Sequence, residues 1–135
     1  LGQADLLLGL EPAETVRNLP FLRKNGKVLL NTHPVSPASR PPGSPEYDPD
    51  ALIYFLDTHC PEIFSFDFTK LAEEAGTFKA ANVAMLGAAA GTGILPFPEE
   101  ILQTVLDAEV PEKYRAVNKE VFERAKRHTR QISGI

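Results

Sequence analysis

Apolar positions in the first part of the chain form short runs separated by helix-start signals. Residues 4–10 are nearly continuously apolar, and residues 27–32 form a second such run. Continuous apolar runs are typical of strands buried on both faces of a parallel sheet, so residues 4–10 are predicted to be a central strand. Between the runs, Pro12 predicts a helix start, Pro20 a break in that helix, and Asn25-Gly26 a turn.

The rest of the chain alternates one further strand with helices. Asp48-Pro49-Asp50 predicts a helix that stops before Pro61, and alternating aromatic residues predict a short strand around residues 63–66. Helices are then predicted at residues 69–75, 80–91, from Glu99 onward and at about 111–130; the third is expected to bury Ile101, Leu102, Val105 and Leu106. Buried strands joined through helices require a parallel sheet, so the predicted fold class is α/β.

Residues 33–50 interrupt this pattern, because six of the twelve prolines lie there. A loop of this length inside a compact domain is uncommon and is usually functional or mobile. We therefore expect either a disordered surface excursion or an arm that contacts a partner.

Composition narrows the class of protein. With 135 residues, 43% of them hydrophobic and 24% charged, the chain is expected to form one globular domain. The net charge of −4 argues against a nucleic-acid partner, and the longest apolar runs are too short for a membrane span. A single cysteine excludes an internal disulfide and an iron–sulfur cluster held by this chain alone. With no signal peptide visible, we expect a cytoplasmic location.

The positive charge is concentrated near the end of the chain. Residues 112–130 hold seven basic and three acidic side chains. This segment is expected to be either a solvated helix face or a docking surface for an acidic partner.

The residue types that usually carry catalysis do not form a recognisable motif. The three histidines are far apart and have no metal-ligand spacing, and His59 and Cys60 are neighbours that point in different directions on a helix. Gly87, Gly91 and Gly93 lack the Lys-Ser/Thr that completes a phosphate-binding loop. We expect these glycines to serve close packing and helix capping.

Polar residues follow both predicted strands. Ligands of parallel sheets sit outside the carboxyl ends of the strands, which here carry Glu11, Asn31 and Thr32. The alternative for Asn31 and Thr32 is that they form hydrogen bonds that stabilise the loop.

Several segments, taken in order, resemble one family. Residues 4–15, 28–35, 71–76 and 81–88 are similar to the gamma-type domain of 2-oxoacid:ferredoxin oxidoreductases. The string Asn82-Val83-x-Met85-Leu86-Gly87-Ala88 is the most specific part. Within the family, the small (beta) subunits of the indolepyruvate-type enzymes are the most similar. The resemblance implies a three-layer α/β/α fold with a mostly parallel sheet.

The resemblance also implies a function for the chain. Such enzymes oxidatively decarboxylate a 2-oxoacid to an acyl-CoA and pass the electrons to ferredoxin. Thiamine diphosphate, iron–sulfur clusters and CoA are implied for the whole enzyme, with the redox centres on a large partner subunit. This chain would complete the complex without binding those cofactors alone. Asn31, Thr32, Asn82 and Glu11 are the residues expected to contact substrate or partner, although Asn82 could instead cap its helix.

One part of the family pattern is missing from the sequence. The strand and Gly-Gly-x-Gly loop that open the family's domain do not precede Leu1. We therefore expect residues 1–135 to be the C-terminal part of one such domain. Two other interpretations stay open from the residues: a free-standing Rossmann- or flavodoxin-like binding domain, and an adaptor that uses its basic last helix and proline-rich loop.

Overall fold

The computed structural model describes residues 1–34, 42–43, 48–93 and 95–133. Its strands and helices are β1 Ala4–Gly9, α1 Pro12–Asn18, β2 Leu22–Asn31, α2 Pro49–His59, β3 Glu62–Phe66, α3 Phe68–Ala75, α4 Ala81–Gly91, α5 Glu99–Glu109 and α6 Glu112–Ser133. The α/β class is confirmed. Contacts divide the chain into two compact units, residues 1–66 and residues 67–135.

The first unit is a three-stranded parallel sheet in the order β1–β2–β3, with α1 and α2 packed on one face. Val28 and Leu30 of β2 form the core of that face with Leu56 of α2 and Cys60. Val16 of α1 packs against the same cluster. Burial of each leucine stabilises the unit by about 1.5–3 kcal/mol, so this face accounts for much of its stability.

The boundaries of α2 follow the predicted signals. The Asp48 side chain accepts a hydrogen bond from the Ala51 amide at 3.1 Å, and Pro49 occupies the first turn. The helix ends at Cys60, immediately before Pro61. Local signals in the sequence are therefore sufficient to place both ends of this helix.

Two predictions about the sheet are wrong. β1 lies at an edge of the described sheet and β2 lies in its centre, so residues 4–10 are not the central strand. β2 begins at Leu22, before the predicted turn. Asn25 adopts a φ of 64°, and the register between β1 and β2 shifts in this region. Asn25 and Gly26 therefore produce an irregularity within a strand instead of preceding it.

Most of the predicted proline-rich loop, residues 33–50, lies outside the described residues, which omit 35–41 and 44–47. Its assignment stays a prediction.

In the second unit, α4 packs closely along α6. A Cβ atom on Gly87 would lie 2.2 Å from the carbonyl oxygen of Phe122, and one on Gly91 would lie 2.7 Å from that of Lys126. Only glycine permits such a close approach of two helices, so the predicted packing role of these glycines is confirmed. Val121 of α6 is fully buried.

The burial predicted for α5 is half wrong. Leu102 and Leu106 are half-buried, as expected of inner positions. Ile101 and Val105, expected on the same inner side, are 50% and 51% exposed. No helix in the described part of the chain is long and apolar enough to span a membrane.

Candidate functional site

The carboxyl ends of the three strands meet at one edge of the sheet. Gly9 of β1 pairs with Leu30 of β2, and Asn31 pairs with Phe66 of β3. Three of the four predicted site residues lie at or just after these pairs: Asn31 is the last residue of β2, Thr32 follows it, and Glu11 comes two residues after Gly9. The structure therefore brings them to one edge, which we call the carboxyl edge.

Glu11 is occupied by the local fold. Its carboxylate accepts hydrogen bonds from the amides of Ala13 at 3.0 Å and Glu14 at 2.5 Å, which makes it the N-cap of α1. Its carbonyl oxygen accepts a 2.6 Å hydrogen bond from the buried Thr15 hydroxyl. A Cβ on Gly9 would lie 2.0 Å from that hydroxyl oxygen. The corner after β1 is thus closely packed, and a carboxylate already covers the helix start where an anion would bind.

Asn31 is buried, with 5% of its surface exposed, at the last position of β2. Its Oδ1 atom accepts a 3.3 Å hydrogen bond from the His33 amide. The Thr32 amide donates to the Phe66 carbonyl at 3.0 Å, which extends the β2–β3 pairing by one residue. Both hydrogen bonds stabilise the loop after β2, which is the alternative to ligand binding given above for Asn31 and Thr32. Both side chains are neutral, so they could orient a ligand but could not carry acid–base chemistry.

Asn82 belongs to the second unit and is exposed in the first turn of α4. Ala80 holds the cap position of that helix, so the alternative that Asn82 is the cap is wrong. Its exposure leaves it open to solvent or to another chain.

Among the described residues, Cys60 is surrounded by the apolar core and not by a group of metal-binding side chains. It is 5% exposed, ends α2 and belongs to the apolar core of the first unit. Burial, reinforced by the Asp57 carboxylate, raises the pKa of the thiol above its ordinary value. A raised pKa disfavours the thiolate that a nucleophile or metal ligand requires, so Cys60 serves packing.

An ion-pair network that no sequence pattern indicated joins α5 to α6. Lys126 lies 2.7 Å from Glu99 and 3.3 Å from Glu123, and only 12% of its side chain is exposed. Arg130 reaches Glu99 at 3.3 Å. The hydrogen bond from Lys126 lowers the pKa of Glu99. Burial by itself would lower the pKa of Lys126, but the carboxylates of Glu99 and Glu123 outweigh it, so the pKa of Lys126 is raised. The network accounts for part of the positive charge of residues 112–130.

The second unit also contains a groove that no sequence pattern indicated. It encloses about 710 Å³, and its polar lining consists of Thr77, Lys79, Glu109, Tyr114 and Asn118. These residues come from three separate segments of the unit, so their proximity depends on tertiary packing.

Comparison with known proteins identifies the family. The sequence model of the pyruvate ferredoxin/flavodoxin oxidoreductase family matches residues 1–128. The chain is 32% identical to indolepyruvate oxidoreductase subunit IorB of Thermococcus kodakarensis, over 99% of this chain and 67% of that protein. It is 33% identical to the subunit of the same name in Archaeoglobus fulgidus, over 87% of this chain and 59% of that protein.

A solved structure has the same fold. The gamma subunit of a keto/oxoacid ferredoxin oxidoreductase from Geobacter sulfurreducens superposes with a TM-score of 0.67 and 21% identity, over 95% of this chain and 65% of that one. The chain thus spans about three-fifths to two-thirds of the length of these proteins. On the family match and the identity to these relatives, the chain belongs to the pyruvate ferredoxin/flavodoxin oxidoreductase family.

Proposed function

We propose that this chain acts as a small, non-redox subunit of a 2-oxoacid:ferredoxin oxidoreductase whose substrate is indolepyruvate or a similar aryl pyruvate. The observation that carries the proposal is the 32% identity to an indolepyruvate oxidoreductase subunit over 99% of the chain. In the proposed reaction, the 2-oxoacid loses CO2, its acyl group forms a thioester with CoA, and two electrons pass to ferredoxin.

The donor set of this chain does not fit the redox cofactors of such a reaction. An iron–sulfur cluster requires several cysteine thiolates, and the chain has one cysteine, which is buried in an apolar core. Among the described residues, no group of three or more histidine, cysteine, aspartate or glutamate side chains could hold a metal ion. We therefore assign thiamine diphosphate and the clusters to a large partner subunit, and contact with ferredoxin to the complex.

Residues 1–135 are proposed to form a single domain, or part of one, in that enzyme. One family match covers residues 1–128, which include nearly all of both compact units. The same continuity disfavours a free-standing flavodoxin-like binding domain. The proposed compartment is the reducing cytoplasm, where a buried free thiol persists.

Asn31 and Thr32 are proposed to contact the substrate or the partner subunit at the carboxyl edge, and Asn82 to contact the partner from the exposed start of α4. Glu11 is proposed to act indirectly, by holding the corner after β1. None of these four side chains is basic, so Asn31 and Thr32 would orient a ligand through neutral hydrogen bonds.

The test of the assembly is co-purification of the full-length chain with a co-expressed large subunit. The proposal expects the two chains to elute together and the complex to form acyl-CoA from indolepyruvate. Elution of the small chain alone, with full activity in the large chain, would refute it.

The test of the carboxyl edge is Asn31→Ala in the assembled enzyme. We expect turnover per complex to fall more than the stability of the subunit. Thr58→Ala, at an exposed position of α2, is the control. If Asn31→Ala lowers the melting temperature and leaves turnover per complex unchanged, Asn31 is structural.

A further inference from the structure

The groove of the second unit carries two opposite charges that do not pair with each other. Its volume of about 710 Å³ lies within the roughly 300–1,000 Å³ that small-molecule sites occupy. Lys79 and Glu109 both line it, and both are exposed. Among the described residues, neither of these two side chains forms an ion pair or a hydrogen bond. The groove therefore offers one unpaired cation and one unpaired anion to the same ligand.

The segment that carries Lys79 is held in place by its neighbours. Gly76 ends α3 with a φ of 144°, and a Cβ atom there would lie 2.6 Å from the Cγ2 atom of Val117. A larger residue at this position would have to displace Val117, so glycine lets the end of α3 approach α6 closely. The Thr77 hydroxyl then accepts a 3.2 Å hydrogen bond from the Lys79 amide. These contacts fix the backbone of Lys79 at the groove.

Glu109 is carried by the turn between α5 and α6, which is also held by hydrogen bonds. The Tyr114 amide donates to the Pro111 carbonyl at 2.9 Å. The Arg115 Nε atom donates to the Val110 carbonyl at 3.3 Å. The turn is thus fastened to the first turn of α6. Both charged residues of the groove therefore lie on backbone that the fold has already ordered, which reduces the entropy cost of binding a ligand.

Much of the remaining lining is apolar or aromatic. Val110, Pro111 and Val117 contribute aliphatic surface, and Tyr114, which is 46% exposed, contributes an aromatic residue. Lys113 does not line the groove but lies over the Tyr114 ring, with Nζ 4.9 Å from the ring centre. The other face of the ring is left for stacking with a ligand. A large apolar group, and an aromatic one above all, fits this lining.

The charges and the apolar lining together select one class of small molecule. A ligand with only a carboxylate would leave the Glu109 carboxylate beside another anion, and a simple amine would leave Lys79 beside another cation. A zwitterion satisfies both charges. Its apolar part would be removed from water against the valines and Tyr114, which is favourable.

We propose that this groove binds a free α-amino acid with a large apolar side chain. The carboxylate of the ligand pairs with Lys79, its ammonium group pairs with Glu109, and its side chain packs on Tyr114, Val110 and Val117. This inference goes beyond the proposed function, because it requires no partner subunit and assigns no step of the oxidoreductase reaction to the groove.

The test uses L-tryptophan as the probe. The chain contains no tryptophan, so the fluorescence of the indole ring reports the ligand alone. The full-length chain is titrated into L-tryptophan, and the fluorescence anisotropy is expected to rise to a plateau. Lys79→Met and Glu109→Gln should each raise the dissociation constant about tenfold, as expected for the loss of a charged hydrogen bond.

Matched controls come from α3, where Lys70 and Glu74 are exposed and do not line the groove. Lys70→Met and Glu74→Gln should bind L-tryptophan as wild type does. All four variants change exposed side chains, so all four should keep the melting temperature of wild type. Binding can then be compared among folded chains.

Ligand analogues separate the two charges. Indolepropionate lacks the ammonium group and tryptamine lacks the carboxylate, so each should compete about tenfold less well than unlabelled L-tryptophan. Equal competition by indolepropionate would show a simple carboxylate site and overturn the zwitterion assignment. The inference also fails if anisotropy does not rise, or if Lys79→Met and Glu109→Gln bind as wild type does. None of these failures bears on the proposed function, which is tested with the large subunit.

Discussion

At the scale of single residues, the side chains at the carboxyl edge differ in the hydrogen bonds that they form. The Glu11 carboxylate accepts two amide hydrogen bonds at the start of α1, so its role there is capping. The Oδ1 atom of Asn31 accepts a 3.3 Å hydrogen bond from the His33 amide. Asn31 is neutral and ends β2, so a ligand contact at this position stays a proposal.

Replacing Glu11 by alanine should destabilise the chain by about 1 kcal/mol, the usual cost of losing an N-cap. The physical reason is that the amides of Ala13 and Glu14 lose their acceptor. The measurement is the urea midpoint of the purified chain. Glu11→Asp is the control, because aspartate is a favoured cap residue and should stay close to wild type. Unchanged stability in Glu11→Ala, together with loss of enzyme turnover, would instead make Glu11 a binding residue.

The sequence was sufficient to locate the carboxyl edge, but it did not show which hydrogen bonds the side chains there form. Polar residues after two apolar runs predicted the position of Asn31 and Thr32 correctly. Whether Glu11 points at a ligand or at its own helix depends on the torsion angles of its side chain, which residue patterns do not encode. The same holds for Asn82, since Ala80 and not Asn82 holds the N-cap position of α4.

At the scale of elements, the two helix contacts of the second unit differ in kind. α4 and α6 meet through glycines at backbone distance, so their fit depends on shape. α5 and α6 meet through Glu99, Lys126 and Arg130, so their fit depends on charge. The first contact should therefore respond to added volume, and the second to pH.

Gly87→Ala should destabilise the chain by about 1–3 kcal/mol, because the new Cβ would lie 2.2 Å from the Phe122 carbonyl oxygen and overpack the contact. In an exposed helix the same change is expected to stabilise by about 1 kcal/mol. Thermal or urea unfolding measures the difference. Asn82→Ala, exposed on the same helix, is the control and should be near neutral or slightly stabilising. A Gly87→Ala chain as stable as wild type would contradict the close packing of α4 on α6.

Glu99→Gln should destabilise the chain near neutral pH by about 1–2 kcal/mol, the range of a partly buried charged hydrogen bond. Because the folded state lowers the pKa of Glu99, its contribution is present above the ordinary glutamate pKa and is lost as the pH falls through the lower folded value. The free energies of unfolding of wild type and Glu99→Gln should therefore converge in acid. The measurement is urea unfolding of both chains across that pH range.

Glu120→Gln is the control for this series, because Glu120 pairs with Arg124 at an exposed site on α6. Exposed pairs contribute little to stability, so this variant should follow wild type. The ion pair would not be the source of the effect if the free energies of unfolding of wild type and Glu99→Gln differed by the same amount down to strongly acidic pH.

Helix boundaries with local capping signals were the most predictable part of the structure, whereas the start of β2 and the faces of α5 were not. Asp48-Pro49 and Cys60-Pro61 bracket α2 through local chemistry, and both ends were predicted. Periodicity showed that α5 is amphipathic, but it could not show that α6 would offer Lys126 and Arg130 to its polar side. The apolar residues Ile101 and Val105 were therefore assigned to the wrong environment.

At the scale of the whole molecule, the chain belongs to its family over residues 1–128 and spans part of the length of its relatives. The one cysteine of the sequence is buried in the apolar core of the first unit, so this chain does not offer the several thiolates that an iron–sulfur cluster requires. Its proposed contribution is therefore to complete a complex whose redox chemistry resides on another chain.

The most direct test of that claim is reconstitution of the enzyme from separately purified subunits. The large subunit is assayed for indolepyruvate-dependent, CoA-dependent reduction of ferredoxin, alone and with increasing amounts of the full-length small chain. We expect little activity without the small chain, and a rise that saturates as the complex forms. Full activity of the large subunit alone, unaffected by the small chain, would contradict it.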